Sequence, residues 1–335
     1  MKEYNFAVVG ATGLVGRKFL QVMEERKLPI KSLRLFASAR SANMPLNCGE
    51  FEAVVEDLNN SDFSGIDIAL FSAGGSRSKE FAPRFVKAGS LVIDNSSAFR
   101  MEPGVPLVVP EINPHRITKG KREIIANPNC STIQLVLVLK PLLDNFGIER
   151  VVVSTYQAVS GSGKKGQSQL QAERNGEKVN QPFYPHQIDA NCIPEIANLN
   201  TETGYFEEEE KVMKETKKIL EDDTIKVTCT AVRVPVWTSH SESVNVQLKK
   251  EASPEEIREV LRKMTGVVVM DDPGKHIYPL AINAAEKDEV FVGRIRKDPS
   301  IDKGIDMWVV SDNLRKGAVT NAVQIAQEWI SLNGD

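Results

Sequence analysis

The stretch Asn5-Phe-Ala-Val-Val-Gly10-Ala-Thr-Gly13-Leu-Val-Gly16 decides the fold. Its first half is a short apolar run that reads as a buried strand, and Val15, Phe19, Val22 and Met23 recur at helical spacing beyond it. Between the two, Gly10, Gly13 and Gly16 form a G-x-x-G-x-x-G turn. Strand, glycine turn and helix in that order let backbone amides approach a pyrophosphate closely while a helix N-terminus faces its charge. Without a ligand, the same turn is a tight strand-to-helix connection.

Four further apolar runs follow, at Leu33–Ala37, Phe51–Val55, Ile66–Ser72 and Leu91–Asp94, separated by polar or helix-like segments such as Ser76–Ala88. That rhythm predicts a parallel sheet with covering helices, an open doubly wound α/β domain over residues 1 to about 130. A helix-like segment, Ser131–Phe146, precedes a change of pattern. Longer strand candidates then arrive with few helices between them: Arg150–Ala158, Lys226–Pro235, Ser243–Lys249, Val267–Met270, Val290–Ile295 and Met307–Ser311. They predict an α+β domain with a mixed or antiparallel sheet, which could also supply a subunit interface. The final segment, Asn313–Leu332, places Ala318, Ala322, Ile325, Ala326, Trp329 and Ile330 on one helical face and is expected to pack back on the first domain. The predicted division is therefore 1–130 completed by 313–335, and 131–312.

Composition narrows the partners. The 335 residues carry 42 basic and 45 acidic side chains, a net charge of −3, which gives no electrostatic reason to expect nucleic acid. The longest apolar stretch, Leu135–Leu139, stops at Lys140 and Pro141, far short of the roughly 18 residues of a membrane span. The first ten residues run straight into a strand, so no export signal is expected. Cys48, Cys130, Cys192 and Cys229 are scattered without a C-x-x-C pair, which argues against a disulfide framework and against a metal cluster. A reducing, cytoplasmic setting is expected.

Two local features point to chemistry. The second predicted strand ends Phe36-Ala-Ser-Ala-Arg40-Ser41, with no acid for ribose hydroxyls and with Arg40 and Ser41 suited to a 2′-phosphate, which favours NADP over NAD. Pro128-Asn-Cys130-Ser-Thr132 sets Cys130 at the first turn of the apolar helix, where free amides and positive partial charge favour the thiolate. A thiolate beside a dinucleotide suggests attack on an aldehyde, hydride transfer from the thiohemiacetal to the nicotinamide, and release of a thioester to an acyl acceptor. Such a scheme needs an acid or base, and the histidines are His115, His186, His240 and His276. His240 stands just before an alternating strand that could aim its ring.

Over essentially its full length the chain resembles the bacterial aspartate-semialdehyde dehydrogenases. The resemblance is carried by GATGLVG (10–16), ASARS (37–41), SAGGSRS (72–78), DNSSAFR (94–100), NPNCST (127–132), QAVSGSGKKG (157–166), ETKKIL (215–220), AVRVPVWTSHSESV (231–244) and SDNLRKGAVTNAVQIA (311–326). It implies a Rossmann-like NADP-binding domain, a catalytic and dimerisation domain, and reversible, phosphate-linked conversion of L-4-aspartyl phosphate to L-aspartate 4-semialdehyde. The same resemblance makes Cys130 the acyl-thioester nucleophile, His240 the acid/base and Gln157 a substrate-positioning group. Arg233 would clamp the substrate α-carboxylate, Arg100 and Lys211 would hold phosphate, and Glu208 would meet the amino group. Glu207–Glu210 leaves that last assignment open by a residue, and Glu208 is taken because it stands three before Lys211 on one helical face. Gly10, Thr12, Gly13, Leu14, Val15, Arg40, Ser41, Ser160, Gly161 and Asn313 match the family's NADP-contacting segments. A homodimer or dimer of dimers is implied. An N-acetyl-glutamyl-phosphate reductase, disfavoured by the NPNCST context, and a non-catalytic redox sensor built on Cys130 are the competing readings.

Overall fold

The computed structural model describes residues 2–334. The chain divides into two compact units: residues up to Asn129 together with those from Ala318 onward, and Cys130–Gly317. The return to the first unit thus begins at Ala318, and residues 313–317, expected with the terminal helix, belong to the second unit.

The first unit opens with β1 (Tyr4–Val9), the glycine turn and α1 (Leu14–Glu25), followed by β2 (Ile30–Ala37), β3 (Pro45–Cys48), β4 (Phe51–Asp57), β5 (Ile68–Phe71), α2 (Gly75–Lys87), β6 (Leu91–Asp94) and β7 (Ile124–Ala126). Its seven strands lie in the order β3-β4-β2-β1-β5-β6-β7. All neighbours are parallel except β3, which pairs antiparallel with β4 at the edge. That hairpin has no counterpart in the sequence reading, because Pro45–Cys48 lacks an apolar run.

Strand periodicity explains the double winding. Phe6 and Val8 enter one core, with Leu35, Ile68, Leu70, Phe19 of α1 and Ala322, Ile325 and Trp329 of the terminal helix Asn321–Asn333. Ala7 and Val9 point the other way, into a core holding Phe36, Phe71 and the α2 residues Phe81 and Phe85. Both faces of the sheet are buried, as a parallel sheet requires. The chain leaves β1 toward β2 and later crosses to β5, so the strand order switches beside the carboxyl end of β1, where the glycine turn sits.

The second unit comprises α3 (Cys130–Phe146), β8 (Ile148–Gln157), α4 (Gly163–Arg174), α5 (Glu207–Leu220), β9 (Lys226–Arg233), β10 (His240–Leu248), α6 (Pro254–Arg262), β11 (Val267–Val269), the short α7 (Ala281–Ala284), β12 (Val290–Asp298) and β13 (Gly304–Ser311). Its six-stranded sheet runs β11-β12-β13-β10-β8-β9. Parallel pairs at both edges, β11 with β12 and β8 with β9, flank antiparallel pairings and make the sheet mixed. Helix α5 is the acidic helix that the sequence suggests from Glu207 to Leu220, whereas α4, in the same long polar interval between β8 and β9, was not expected because its amphipathic periodicity is weak. Helix α3 packs on β10, and α5 on β9. No helix among the described residues is long and apolar enough to cross a membrane.

Candidate active site

In the first unit, Gly10 has a φ of 87°, and a Cβ there would collide with the Ser72 carbonyl. A Cβ on Gly16 would strike the Gly10 carbonyl oxygen and lie 2.7 Å from the Ala11 backbone. The turn is therefore folded on itself as tightly as glycine permits. Helix α1 starts at Gly13 with no side-chain cap and no acid in its first turn, which leaves its start suited to an anion. Thr12 Oγ1 donates to Ser41 Oγ at 3.5 Å, drawing the turn toward the exposed Arg40 after β2. These are the features a dinucleotide phosphate needs, and Leu14 and Val15 form the uncapped first turn.

Arg100, also in this unit, is 7% exposed, with Nε on the Asn127 carbonyl at 2.9 Å and Nη2 on that of Asn95 at 3.0 Å. Asn127 is itself fixed, giving Nδ2 to Asn95 Oδ1 and accepting at Oδ1 from Asn321. Buried Asp94 accepts from Ser78 and Ser96 and holds the loop that carries Arg100. The supporting asparagines were visible in the sequence only as members of shared motifs.

In the second unit, the carboxyl ends of β8 and β9 and the start of β10 converge. Gln157 and Arg233 are register partners at the ends of their strands, and both are buried. Arg233 gives Nη1 to the Ala158 carbonyl at 2.7 Å, and its buried Nε has no partner, an edge left for a planar acceptor such as a carboxylate. His240 is the first residue of β10 rather than a loop residue before it, paired with Ser311 of β13. The ring is fully buried and Nδ1 accepts from the Ala158 amide at 3.0 Å, so the neutral ring carries its proton on Nε2, which has no partner. Burial, aided by the Arg233 charge and opposed by Glu208, pushes its pKa down to about 3. At neutral pH His240 is an uncharged Nε2 donor. A Cβ on Gly161 would stand 2.9 Å from Arg233 Nη1 and 3.2 Å from His240 Nε2. The bare Cα at Gly161 is thus what admits this pair, in addition to the cofactor contact that the family resemblance implies.

The four consecutive acids of α5 separate by partner. Glu207 accepts from Asn198, Glu209 from the Phe206 and Ala231 amides, and Glu210 from Asn200, Thr203 and Lys214. Glu208 alone meets Gln157, whose Nε2 lies 3.2 Å from Oε1, while Lys211 Nζ reaches Oε2 at 3.4 Å. Ser160 and Asn313, matched to cofactor segments in the sequence, bond to each other at 2.9 Å, and Asn313 Oδ1 also accepts from the Ser239 amide at 3.0 Å. Ser239 has a φ of 71°, so this contact secures a strained residue directly before His240. Cys130 is partly exposed and opens α3. Cys48 and Cys229 are buried, and burial raises both thiols, Cys48 to about 11. Among the described residues no group of three His, Cys, Asp or Glu side chains could hold a metal ion.

Models of two families match the chain: semialdehyde dehydrogenase, NAD binding domain, over residues 5–120, and semialdehyde dehydrogenase, dimerisation domain, over residues 139–316. Aspartate-semialdehyde dehydrogenase of Aquifex aeolicus is 55% identical over 97% of this chain and 97% of that protein. The chain belongs to the aspartate-semialdehyde dehydrogenase family. The crystal structure of aspartate semialdehyde dehydrogenase II complexed with ASA from Vibrio cholerae superposes with a TM-score of 0.95, at 43% identity over 99% of both chains. A more distant member of the family, that of Candida albicans with NADP, gives 0.79 at 27% identity over 99% of both.

One buried group of this family member was not singled out from its sequence. Glu242, two residues beyond His240 on the same face of β10, is fully buried and neither carboxyl oxygen has a hydrogen-bond partner. Burial holds the acid well above its ordinary value of 4.5; Gln134 of α3 faces it without hydrogen-bond geometry and only partly offsets the shift. The folded state keeps the neutral acid, so the unfolded chain gains by ionising as pH rises above 4.5, and stability falls from there until the folded group titrates. Glu242→Gln should therefore raise the melting temperature at pH 8, with the gain shrinking as pH is lowered to 4. A gain independent of pH would show that Glu242 is not held neutral.

Proposed function

We propose that the protein is a phosphorylating, NADP-dependent aspartate-semialdehyde dehydrogenase. It interconverts L-4-aspartyl phosphate with L-aspartate 4-semialdehyde and inorganic phosphate, on the route to lysine, methionine and threonine. The observation that carries this reading is the buried cluster of Gln157, Glu208, Arg233 and neutral His240 in a member of this family.

In the biosynthetic direction the Cys130 thiolate, stabilised at the start of α3, attacks the acyl carbon; the bond to phosphate breaks and a thioester forms. When bound, NADPH would supply a hydride to the thioester carbon; the bond to sulfur then breaks, giving the aldehyde and returning the Cys130 thiolate. His240 presents its Nε2 proton to the oxygen that gains charge at each tetrahedral stage, the use to which a dry, uncharged donor is best put. Arg233 offers its unpartnered Nε edge to the α-carboxylate, and Glu208 receives the amino group in place of Lys211. Lys211, released toward the anion, and Arg100 hold phosphate. Gly10, Thr12, Gly13, Leu14 and Val15 would cradle the cofactor pyrophosphate, Arg40 and Ser41 would take the 2′-phosphate, and Ser160, Gly161 and Asn313 would also contact the cofactor. The first unit is the NADP-binding domain and the second the catalytic and dimerisation domain, in a homodimer or dimer of dimers within the cytoplasm.

Freshly reduced enzyme should form NADPH from L-aspartate semialdehyde only when phosphate is present. No turnover, or better turnover with N-acetyl-glutamate semialdehyde, would overturn the assignment. Arg40→Ala should weaken NADP binding about tenfold, the loss of one charge-assisted contact at an exposed site, with little change for NAD. Equal losses in titrations of both cofactors would remove the 2′-phosphate from Arg40.

A further inference from the structure

The segment Arg315–Thr320 is a π-helical turn, in which the Gly317 amide donates to the Asp312 carbonyl five residues back at 3.1 Å. π-Turns are rare, and where they occur they often mark a functional site. Gly317 does not have a left-handed φ, so its backbone conformation is open to any residue. A glycine inside a helical run destabilises it relative to alanine, so its presence there needs another reason. Space supplies it: a Cβ on Gly317 would lie 3.0 Å from Cys130 Cβ and 3.4 Å from Cys130 Cα. Those are atoms of the backbone and its first carbon, which cannot swing aside as a side-chain tip can.

The same turn is fixed at its start. Asp312 is 1% exposed, accepts at Oδ1 from the Leu314 and Arg315 amides and at Oδ2 from the Glu286 amide. Its neighbour Asn313 accepts from the Ser239 amide, next to His240. One turn of chain therefore touches the residue before His240 at one end and Cys130 at the other.

We propose that Gly317 is a positioning residue for the nucleophile: the π-turn Asp312–Gly317 sets where Cys130 stands relative to His240, and a hydrogen at 317 is required for that placement. The proposal rests on the catalytic reading of Cys130 and His240. Gly317→Ala pushes Cys130 by a few tenths of an ångström.

The test measures, for the parent, Gly317→Ala and Asp312→Asn, the rate of Cys130 alkylation by iodoacetamide from pH 6 to 9, kcat and KM for the aldehyde, NADPH binding and melting temperature. Gly317→Ala is expected to lower kcat about tenfold or more, as small misplacements of reacting groups do, with KM and NADPH binding within about twofold. Its alkylation profile should shift along the pH axis, which a merely looser fold would not produce. Asp312→Asn, which loosens the turn from its other end, should change the profile in the same way and decides the matter if Gly317→Ala does not fold. Alkylation profiles and kcat unchanged in the folded variants would overturn the proposal. A parent inactive on the semialdehyde would refute the functional reading, while the alkylation comparison would still decide the role of Gly317.

Discussion

Cys130→Ser should lower turnover by at least about 10⁴-fold while NADPH binding, followed by fluorescence titration, stays within a few-fold of the parent. The size follows from the role: a residue that forms the covalent bond cannot be replaced by the remaining groups, and such losses run to many orders of magnitude. Serine keeps the shape of the side chain but is a far weaker nucleophile than a thiolate, so helix α3 should be undisturbed and melting nearly unchanged. Cys48 and Cys229 are poor substitutes, since both are buried with thiols that burial holds protonated. Turnover within tenfold of the parent would exclude a thioester at Cys130. A trapped acyl group on Cys130, detected by mass spectrometry in acid-quenched parent and missing from the variant, is the corresponding positive result.

His240→Asn should lower kcat roughly 10²–10⁴-fold, the usual worth of a positioned proton donor or acceptor. The pH dependence separates the structural reading from a conventional one. With its pKa pushed down to about 3, His240 stays neutral from pH 8 to pH 5, so the parent's kcat/KM should show no acid limb near 6.5 that vanishes in His240→Asn. Such a limb would mean that the ring charges in the working enzyme. Stability carries the same sign. A depressed pKa means that the unfolded chain takes up a proton the folded one refuses, so the fold loses stability as pH falls from 6.5 toward 3, and His240→Asn should melt with a weaker acid dependence.

The glycine turn and the two-residue alternation of Phe6–Val9 were enough to define the doubly wound unit, because each strand residue goes to a different core. The position of Cys130 was legible for a similarly local reason, since it directly precedes an apolar run and opens α3. Choice among Glu207–Glu210 was not, since all four share one helix start and only tertiary partners, the Ala231 amide for Glu209 and Asn200 for Glu210, leave Glu208 to Gln157. Glu242 was within reach. Val244, Val246 and Leu248 are buried on β10, and counting back by two places an acid on the same inner face. Gly317 carried a weaker signal, a lone glycine in a long helical pattern, whose meaning depended on Cys130 lying 187 residues earlier in the chain.

The first unit is discontinuous, and that has a consequence for its synthesis. One of its two cores contains Ala318, Ala322, Val323, Ile325, Ala326 and Trp329, which are synthesised only after the whole of the second unit. Until they emerge, the apolar face of the nascent sheet formed by Phe6, Val8, Leu35 and Leu70 has only part of its cover, from Phe19, Val22 and Met23 of α1, whereas Cys130–Gly317 is contiguous and leaves the ribosome before them. The cofactor-binding half of the protein begins before the second unit and is completed after it, and a nascent chain stalled short of Ala318 presents that partly open face to the chaperones and proteases of the cell.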